Sequence, residues 1–389
     1  MRKGWEYKKL GEVGQIVTGS TPSTKDESNY SPREYCFVKP SDLPSQGIAD
    51  IEETEYFVSQ IGLSKSRVLP AGSVLVSCIG SIGKIGILTK EACSNQQINA
   101  IIPQDETDSR FIAYSLYAQR FVLESIANAP VVPIINKTDF SKIRIGIPPK
   151  STQLAIVSEL DKINKLIRLK KEQLKDFDNL AQSLFYEMFG DPVENEKGWE
   201  VKKLNEIVSD NCSISYGIVQ PGDGVENGVP VVRPVDMTKT FVSRKGLKNT
   251  TKEISDSYKR TILKGNEILM CVRGTTGLIS MATPELQGCN VTRGIAPIEC
   301  GPTCDKWFVF YQILNPAIQH HIAEYTRGIA LKQINMKDVR DIPLCLPPLP
   351  LQHLFAQRIE QIEHQKSEVQ KAITDLETLL ASRMQYWFE

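Results

Sequence analysis

Two long stretches of this chain repeat each other in one register. Trp5-Glu6-Tyr7-Lys8-Lys9-Leu10 returns 194 residues later as Trp199-Glu200-Val201-Lys202-Lys203-Leu204. At the same spacing Val38-Lys39-Pro40-Ser41-Asp42-Leu43 falls on Val232-Arg233-Pro234-Val235-Asp236-Met237, and Gly80-Ser81-Ile82-Gly83 on Gly274-Thr275-Thr276-Gly277. Further on the spacing grows to 199: Ile135-Asn136-Lys137-Thr138-Asp139 matches Ile334-Asn335-Met336-Lys337-Asp338, and Pro148-Pro149 with Gln153 matches Pro347-Pro348 with Gln352. A repeat this long and only two copies deep is a duplicated domain, not a solenoid. The stretches between the anchors, such as 100–134 against 296–333, are far less alike, so the copies share a frame and differ in contents.

Each copy reads as a mixed α/β globule followed by a long helix. Gly72 to Cys78 and Gly265 to Cys271 are apolar, β-branched and bounded by glycines, the pattern of a buried strand. Ile85–Leu88, Ile98–Ile102 and Val291–Thr292 are further short strands, and Phe111 to Ile126 and Trp307 to Tyr325 are helical patterns. After each Pro-Pro stop the period changes. Ile156, Leu160, Ile163, Ile167, Lys170, Leu174, Phe177, Ala181, Leu184 and Met188 follow alternating steps of four and three, a coiled-coil stripe. Its counterpart is Phe355, Ile359, Ile362, Lys366, Val369, Ile373, Leu376, Leu380, Arg383 and Trp387. Each helix spans on the order of 55 Å at about 1.5 Å per residue.

These periods divide the chain into a globular domain at 1–150, a helix at 151–190, a second globular domain at 191–349 and a second helix at 350–389. A long apolar stripe needs a partner, and connectivity favours packing the two helices on each other as an antiparallel coiled coil with pseudo-two-fold symmetry. Phe388-Glu389 then abuts Lys3-Gly4-Trp5, as Phe189-Gly190 leads into Lys197-Gly198-Trp199. The seam is Ile156, Leu160, Ile163, Ile167, Leu174, Phe177 and Leu184 against Phe355, Ile359, Ile362, Val369, Ile373, Leu376 and Leu380. Lys170 and Lys366 are unusual there, fixing register or snorkelling to solvent.

The Trp-Glu-x-Lys-Lys-Leu openings, Thr18-Gly19-Ser20-Thr21-Pro22, the Gly-x-x-Gly turns, Asn95-Gln96-Gln97-Ile98-Asn99-Ala100 and the Leu-Pro-Pro-Leu-x-x-Gln helix start resemble type I restriction–modification specificity subunits. The resemblance covers essentially the whole chain. It implies that each globular copy is a target-recognition domain for half of a split, asymmetric DNA site. It implies that the helices space the domains and dock two modification (methyltransferase) subunits, and that restriction subunits complete the nuclease. S-adenosylmethionine, ATP and Mg are expected in those partners, with no cofactor in this chain. The second copy departs from the pattern in having Ser213-Ile214-Ser215-Tyr216-Gly217 in place of the Thr-Gly-Ser-Thr-Pro segment.

DNA contacts need basic or amide side chains on loops, since phosphates take cations and base edges take paired donors and acceptors. In the first copy these are Lys39, Ser81, Lys84, Asn95, Gln96, Gln97, Asn136 and Lys137. In the second they are Arg233, Arg273, Thr275, Thr276, Thr292, Arg293, Arg327, Lys332 and Gln333. The ordinary role of any one of them is a solvated surface group or a turn former. Arg273 reads as an extra residue between Cys271 and Gly274, relative to Cys78-Ile79-Gly80, placed to bond a guanine bidentately. Lys and Arg total 46, equal to Asp and Glu, which excludes a uniformly basic coat but not local basic patches.

No catalytic set repeats in the two copies. Asn315-Pro316-Ala317-Ile318 lacks the second proline and the aromatic of an adenine-methyltransferase motif, and Gly80 to Lys84 lacks Walker spacing. Cys300-x-x-x-Cys304 with His320 and His321 matches no familiar zinc spacing. Nine scattered cysteines fit reduced thiols. The charged start and the lack of a run near 20 apolar residues predict a cytoplasmic protein. The expectation is a non-catalytic DNA-binding subunit; the alternative is a two-headed protein-binding scaffold with a coiled-coil spacer.

Overall fold

A computed structural model describes residues 2, 4–127, 132–222, 224–328 and 331–389. The chain forms two compact units, one of residues 1–171 with 371–389 and one of residues 172–370. Among the described residues, no helix is long and apolar enough to cross a membrane.

In the first unit a five-stranded sheet runs in the order Gly14–Thr18, Ile98–Pro103, Val74–Ser77, Ile85–Leu88, Ile48–Ile51. Its pairings are antiparallel except the last, which is parallel. A smaller sheet places Tyr35–Val38 between Phe57–Val58 and Ala92–Ser94. The central strand Val74–Ser77 is buried throughout because it separates two cores: Val74 and Val76 face one, Leu75 the other. Alternation of side chains along a strand requires this, and it explains a continuous apolar run.

The second unit repeats the arrangement. Ile268–Cys271 lies between Ile279–Met281 and Ile295–Ile298, with Ile268 and Met270 in one core and Leu269 and Cys271 in the other. Val229–Val232 pairs in parallel with Asn290–Val291, as Tyr35–Val38 does with Ala92–Ser94. Both units are mixed α/β.

The two helical patterns each break into a pair. Phe111 to Ile126 belongs to Ser109–Ala118 and Arg120–Ile126. Trp307 to Tyr325 is Lys306–Leu314 and Pro316–Glu324, because Asn315 caps the second helix and Pro316 opens it, where a missing N–H costs nothing.

The Pro-Pro stops lead into helices of 40 residues, Lys150–Phe189 and Leu349–Phe388. A buried glutamine fixes each start. Gln153 accepts the Asp108 N–H at 2.9 Å and donates to the Pro148 carbonyl at 2.9 Å; Gln352 accepts from Asp305 at 2.9 Å and donates to Pro347 at 2.7 Å. Asp108 and Asp305 in turn cap the helices Ser109–Ala118 and Lys306–Leu314.

Within each unit the two helical segments run antiparallel. In the first, Glu159 binds Arg383 and accepts from Trp387 Nε1 at 3.0 Å, while Lys171 pairs with Glu377 at 2.8 Å. In the second, Lys366 pairs with Asp178 at 2.8 Å, and the rings of Phe185 and Phe355 lie 5.7 Å apart. Ile156, Leu160, Ile163, Ile167, Phe355, Ile359, Ile362, Val369 and Ile373 are buried; Leu174, Phe177, Leu184, Leu376 and Leu380 are half-buried. Towards the helix ends burial moves one place, to Phe185 and Met384. A straight helix drifts about 20° per heptad, so four heptads after Ile156 or Phe355 the stripe has turned by nearly one residue.

The helix ends meet the domain starts. Trp5 and Phe388 both contact the Phe111 ring, at 5.9 and 5.6 Å, and Trp199 Nε1 donates to the Phe189 carbonyl at 2.9 Å. Lys3 lies outside the described residues.

Candidate nucleic-acid interface

In the second unit the buried strand Ile268–Cys271 runs out into a turn clasped on both sides. The Val272 N–H donates to the Gly294 carbonyl at 2.8 Å, and its carbonyl accepts from Ile334 at 3.0 Å. Gly274 and Gly277, both at φ +85°, reverse the chain in a conformation that favours glycine. An added Cβ at Gly277 would also meet Gln319 Oε1 at 2.6 Å. The Gly274 N–H donates to the Lys332 carbonyl at 2.8 Å, Arg327 and Gln333 exchange two backbone bonds of 2.8 Å, and the hydroxyls of Thr326 and Thr276 meet at 3.1 Å.

Backbone pairing therefore brings Arg273, Thr275, Thr276, Thr292, Arg293, Arg327, Lys332 and Gln333 together at one end of the sheet. Thr275, Arg293, Arg327, Lys332 and Gln333 are exposed. Arg273 is half-buried, and its Nε is enclosed with no hydrogen-bond partner among the described residues. Arg233 stands nearby, but its guanidinium closes on Asp236 through bonds of 3.0 and 2.8 Å. Its hydrogen bonds to that carboxylate hold its pKa above the ordinary arginine value.

The first unit uses the same frame. The Cys78 N–H donates to Gln97 at 2.7 Å, the Cys78 carbonyl accepts from Ile135 at 2.8 Å, and the Gly80 N–H donates to Pro133 at 3.0 Å. These bonds match Cys78 to Val272 and Ile79 to Arg273. The reading of Arg273 as an inserted residue is thus corrected: it replaces Ile79. The cysteine match misled, because Cys271 occupies the place of Ser77, each carbonyl accepting from the second turn glycine at 2.9 Å.

Several first-copy candidates brace this frame. Asn95 is buried and holds Gln97, accepting its N–H at 3.1 Å and donating to its Oε1 at 2.8 Å. Asn136 caps the helix Lys137–Lys142 through the Asp139 N–H at 2.9 Å. Lys84 donates to the Pro40 carbonyl at 3.1 Å, and the Lys39 ammonium sits 2.9 Å from the centre of the Tyr56 ring. Ser81, Gln96 and Lys137 face outward, with Gln96 Oε1 accepting from Thr21 Oγ1 at 2.5 Å.

The segments around Gly19 and Gly217, where the second copy departs from the Thr-Gly-Ser-Thr-Pro pattern, occupy equivalent places in their units. The Ser20 N–H donates to Ser94 and the Ile218 N–H to Val291, each at 2.8 Å. An added Cβ at either glycine would come within 2.1 Å of a backbone carbonyl. Two further side chains here were not among the sequence candidates: Tyr56, under the Lys39 ammonium, and Arg67, which donates to the Thr18 carbonyl at 2.6 Å. Nothing in their spacing marks them.

Comparison with known proteins bears on this frame directly. The model of the type I restriction modification DNA specificity domain matches residues 2–176 and again 196–378. The type I restriction enzyme MjaIX specificity subunit of Methanocaldococcus jannaschii is 23% identical over 406 residues, covering 97% of this chain and 91% of that protein. The HindI specificity subunit of Haemophilus influenzae is 30% identical over 207 residues, covering 52% of this chain and 40% of that protein. The solved type I restriction–modification S subunit from M. genitalium has the same fold, with a TM-score of 0.57 at 14% identity over 98% of this chain and 95% of that one. A chain from a type I R-M system, solved to explain complex assembly and conformational transition, gives 0.59 at 18% over 100% and 98%. This chain belongs to the family of type I restriction–modification DNA specificity proteins, whose domain it carries twice.

Proposed function

We propose that the chain recognises DNA for a type I restriction–modification complex. Each unit reads one half of an asymmetric, bipartite site, and the two 40-residue helices are the spacer and the docking surface for two methyltransferase subunits. One observation carries the reading. The same backbone frame clasps a glycine-bounded turn in both units, while the outward side chains differ: Ser81 and Gln96 in one, Thr275, Arg293 and Lys332 in the other. A shared frame with unlike donors and acceptors suits two different base sequences. The relatives named as specificity subunits of type I restriction enzymes support it. Methyl transfer from S-adenosylmethionine, and any ATP- and Mg-dependent cleavage, then falls to partner subunits.

The test is selection from random duplexes by the full chain bound to its modification subunits, followed by gel shift across a salt series. Two unlike enriched half-sites, with affinity falling as salt rises, are expected. A protein scaffold would enrich no sequence at any salt, and a palindromic motif would overturn the asymmetry.

A further inference from the structure

One short turn is built alike in both units, and the side chain at its outward tip differs. In Lys39-Pro40-Ser41-Asp42 the Asp42 carboxylate accepts the Lys39 N–H at 2.7 Å, and the Asp42 N–H donates to the Lys39 carbonyl at 3.0 Å. In Arg233-Pro234-Val235-Asp236 the same two bonds measure 2.9 Å each. Core residues anchor both turns, Val38 and Leu43 in one, Val232 and Met237 in the other, and the proline fixes φ. The outward place holds exposed Ser41 in the first unit and Val235, 69% exposed, in the second.

A single exposed valine is ordinary on a protein surface. This one stands on a braced support inside the candidate interface. Pro234 packs on Gly294, where an added Cβ would lie 2.8 Å from its ring, and the Thr292 N–H donates to the Val232 carbonyl at 3.0 Å. The turn therefore sits against the loop that carries Arg293 and clasps the Arg273 turn. With Arg233 closed on Asp236, the tip presents an apolar surface beside cations.

We infer that Val235 is a specificity-determining residue that contacts the 5-methyl group of a thymine, and that Ser41 meets a hydrogen-bonding base edge at the corresponding place in the other half-site. The inference rests on the DNA-reading role proposed above. The thymine methyl is the apolar feature that the major groove offers on unmodified base pairs. A β-branched side chain on a fixed backbone has little freedom left to lose on meeting it. Covering one methyl group corresponds to about a fourfold gain in affinity.

The experiment uses the complex of the full chain with its modification subunits and the duplex it selects from a random library. Each thymidine of the second half-site is replaced in turn by deoxyuridine, which removes only the methyl group. One replacement should weaken binding about fourfold for the natural chain and leave V235S unaffected. The reciprocal variant S41V, put through the same selection, should enrich a thymine in the first half-site and show a similar deoxyuridine penalty there. Equal penalties in the natural chain and V235S at every position, or a second half-site without thymine, overturn the inference while duplex binding stands. Failure of the natural chain to select any duplex strikes the DNA-reading role instead. Thermal unfolding of V235S, expected to match the natural chain, separates loss of contact from loss of fold.

Discussion

Enclosing a guanidinium nitrogen without an acceptor is costly, and Arg273 Nε is held that way by backbone bonds on either side of its turn. Turned outward onto a duplex, the side chain would find the missing acceptors on a guanine edge. R273A should therefore weaken specific duplex binding by about 1–3 kcal/mol and relax one base position, with the melting temperature unchanged or slightly raised. A gel shift with single-base variants of the selected duplex, beside a melting curve, checks both. The chemistry of such residues was legible from type and neighbouring glycines. Their register was not, because only backbone pairing assigns Arg273 to the place of Ile79. Asparagine was the most ambiguous type: its short amide equally suits a base edge, a helix cap as at Asn136, or a buried loop brace as at Asn95.

The long helices carry their ion pairs in two environments, and the environments set opposite expectations. Lys366, 16% exposed, joins Asp178 to Glu363, itself 8% exposed, and Glu363 Oε1 also accepts from the Tyr311 hydroxyl at 3.3 Å. Burial lowers the Lys366 pKa, but its bonds to Asp178 and Glu363 outweigh this and raise it overall. K366M strands the Glu363 charge and should cost about 3 kcal/mol, whereas K366M with E363Q should recover most of that, as read by denaturant unfolding. Glu159 lies nearer the surface, where its hydrogen bond to Arg383 holds its carboxyl below the ordinary glutamate value. A carboxyl depressed in the folded state contributes stability above its unfolded pKa and loses it as pH falls through the folded one. Acidification from pH 5 downward should destabilise the natural chain more steeply than E159Q, checked by melting across that range. The stripes themselves were legible because a buried helical face must repeat near every 3.5 residues. Phe185 and Met384 escaped because a strict heptad ignores the slow drift of a real helix.

At the scale of the whole chain, the duplication was plain wherever the backbone dictates the residue: glycines at positive φ, prolines before the long helices, and the glutamines that fix their starts. The loops between offer many sequences of equal stability, so their contents carried no structural signal. The units also differ in how they draw on the chain. The second is continuous, residues 172–370, whereas the first needs 371–389, whose Met384 shares a core with Ile156 and Leu160 and whose Arg383 holds Glu159. The second unit is therefore complete without residues 371–389, and the first is not. Removal of residues 371–389 should leave residues 172–370 resistant to limited proteolysis and expose 1–171, so a lesion in one short helical segment is felt in a domain remote from it in sequence.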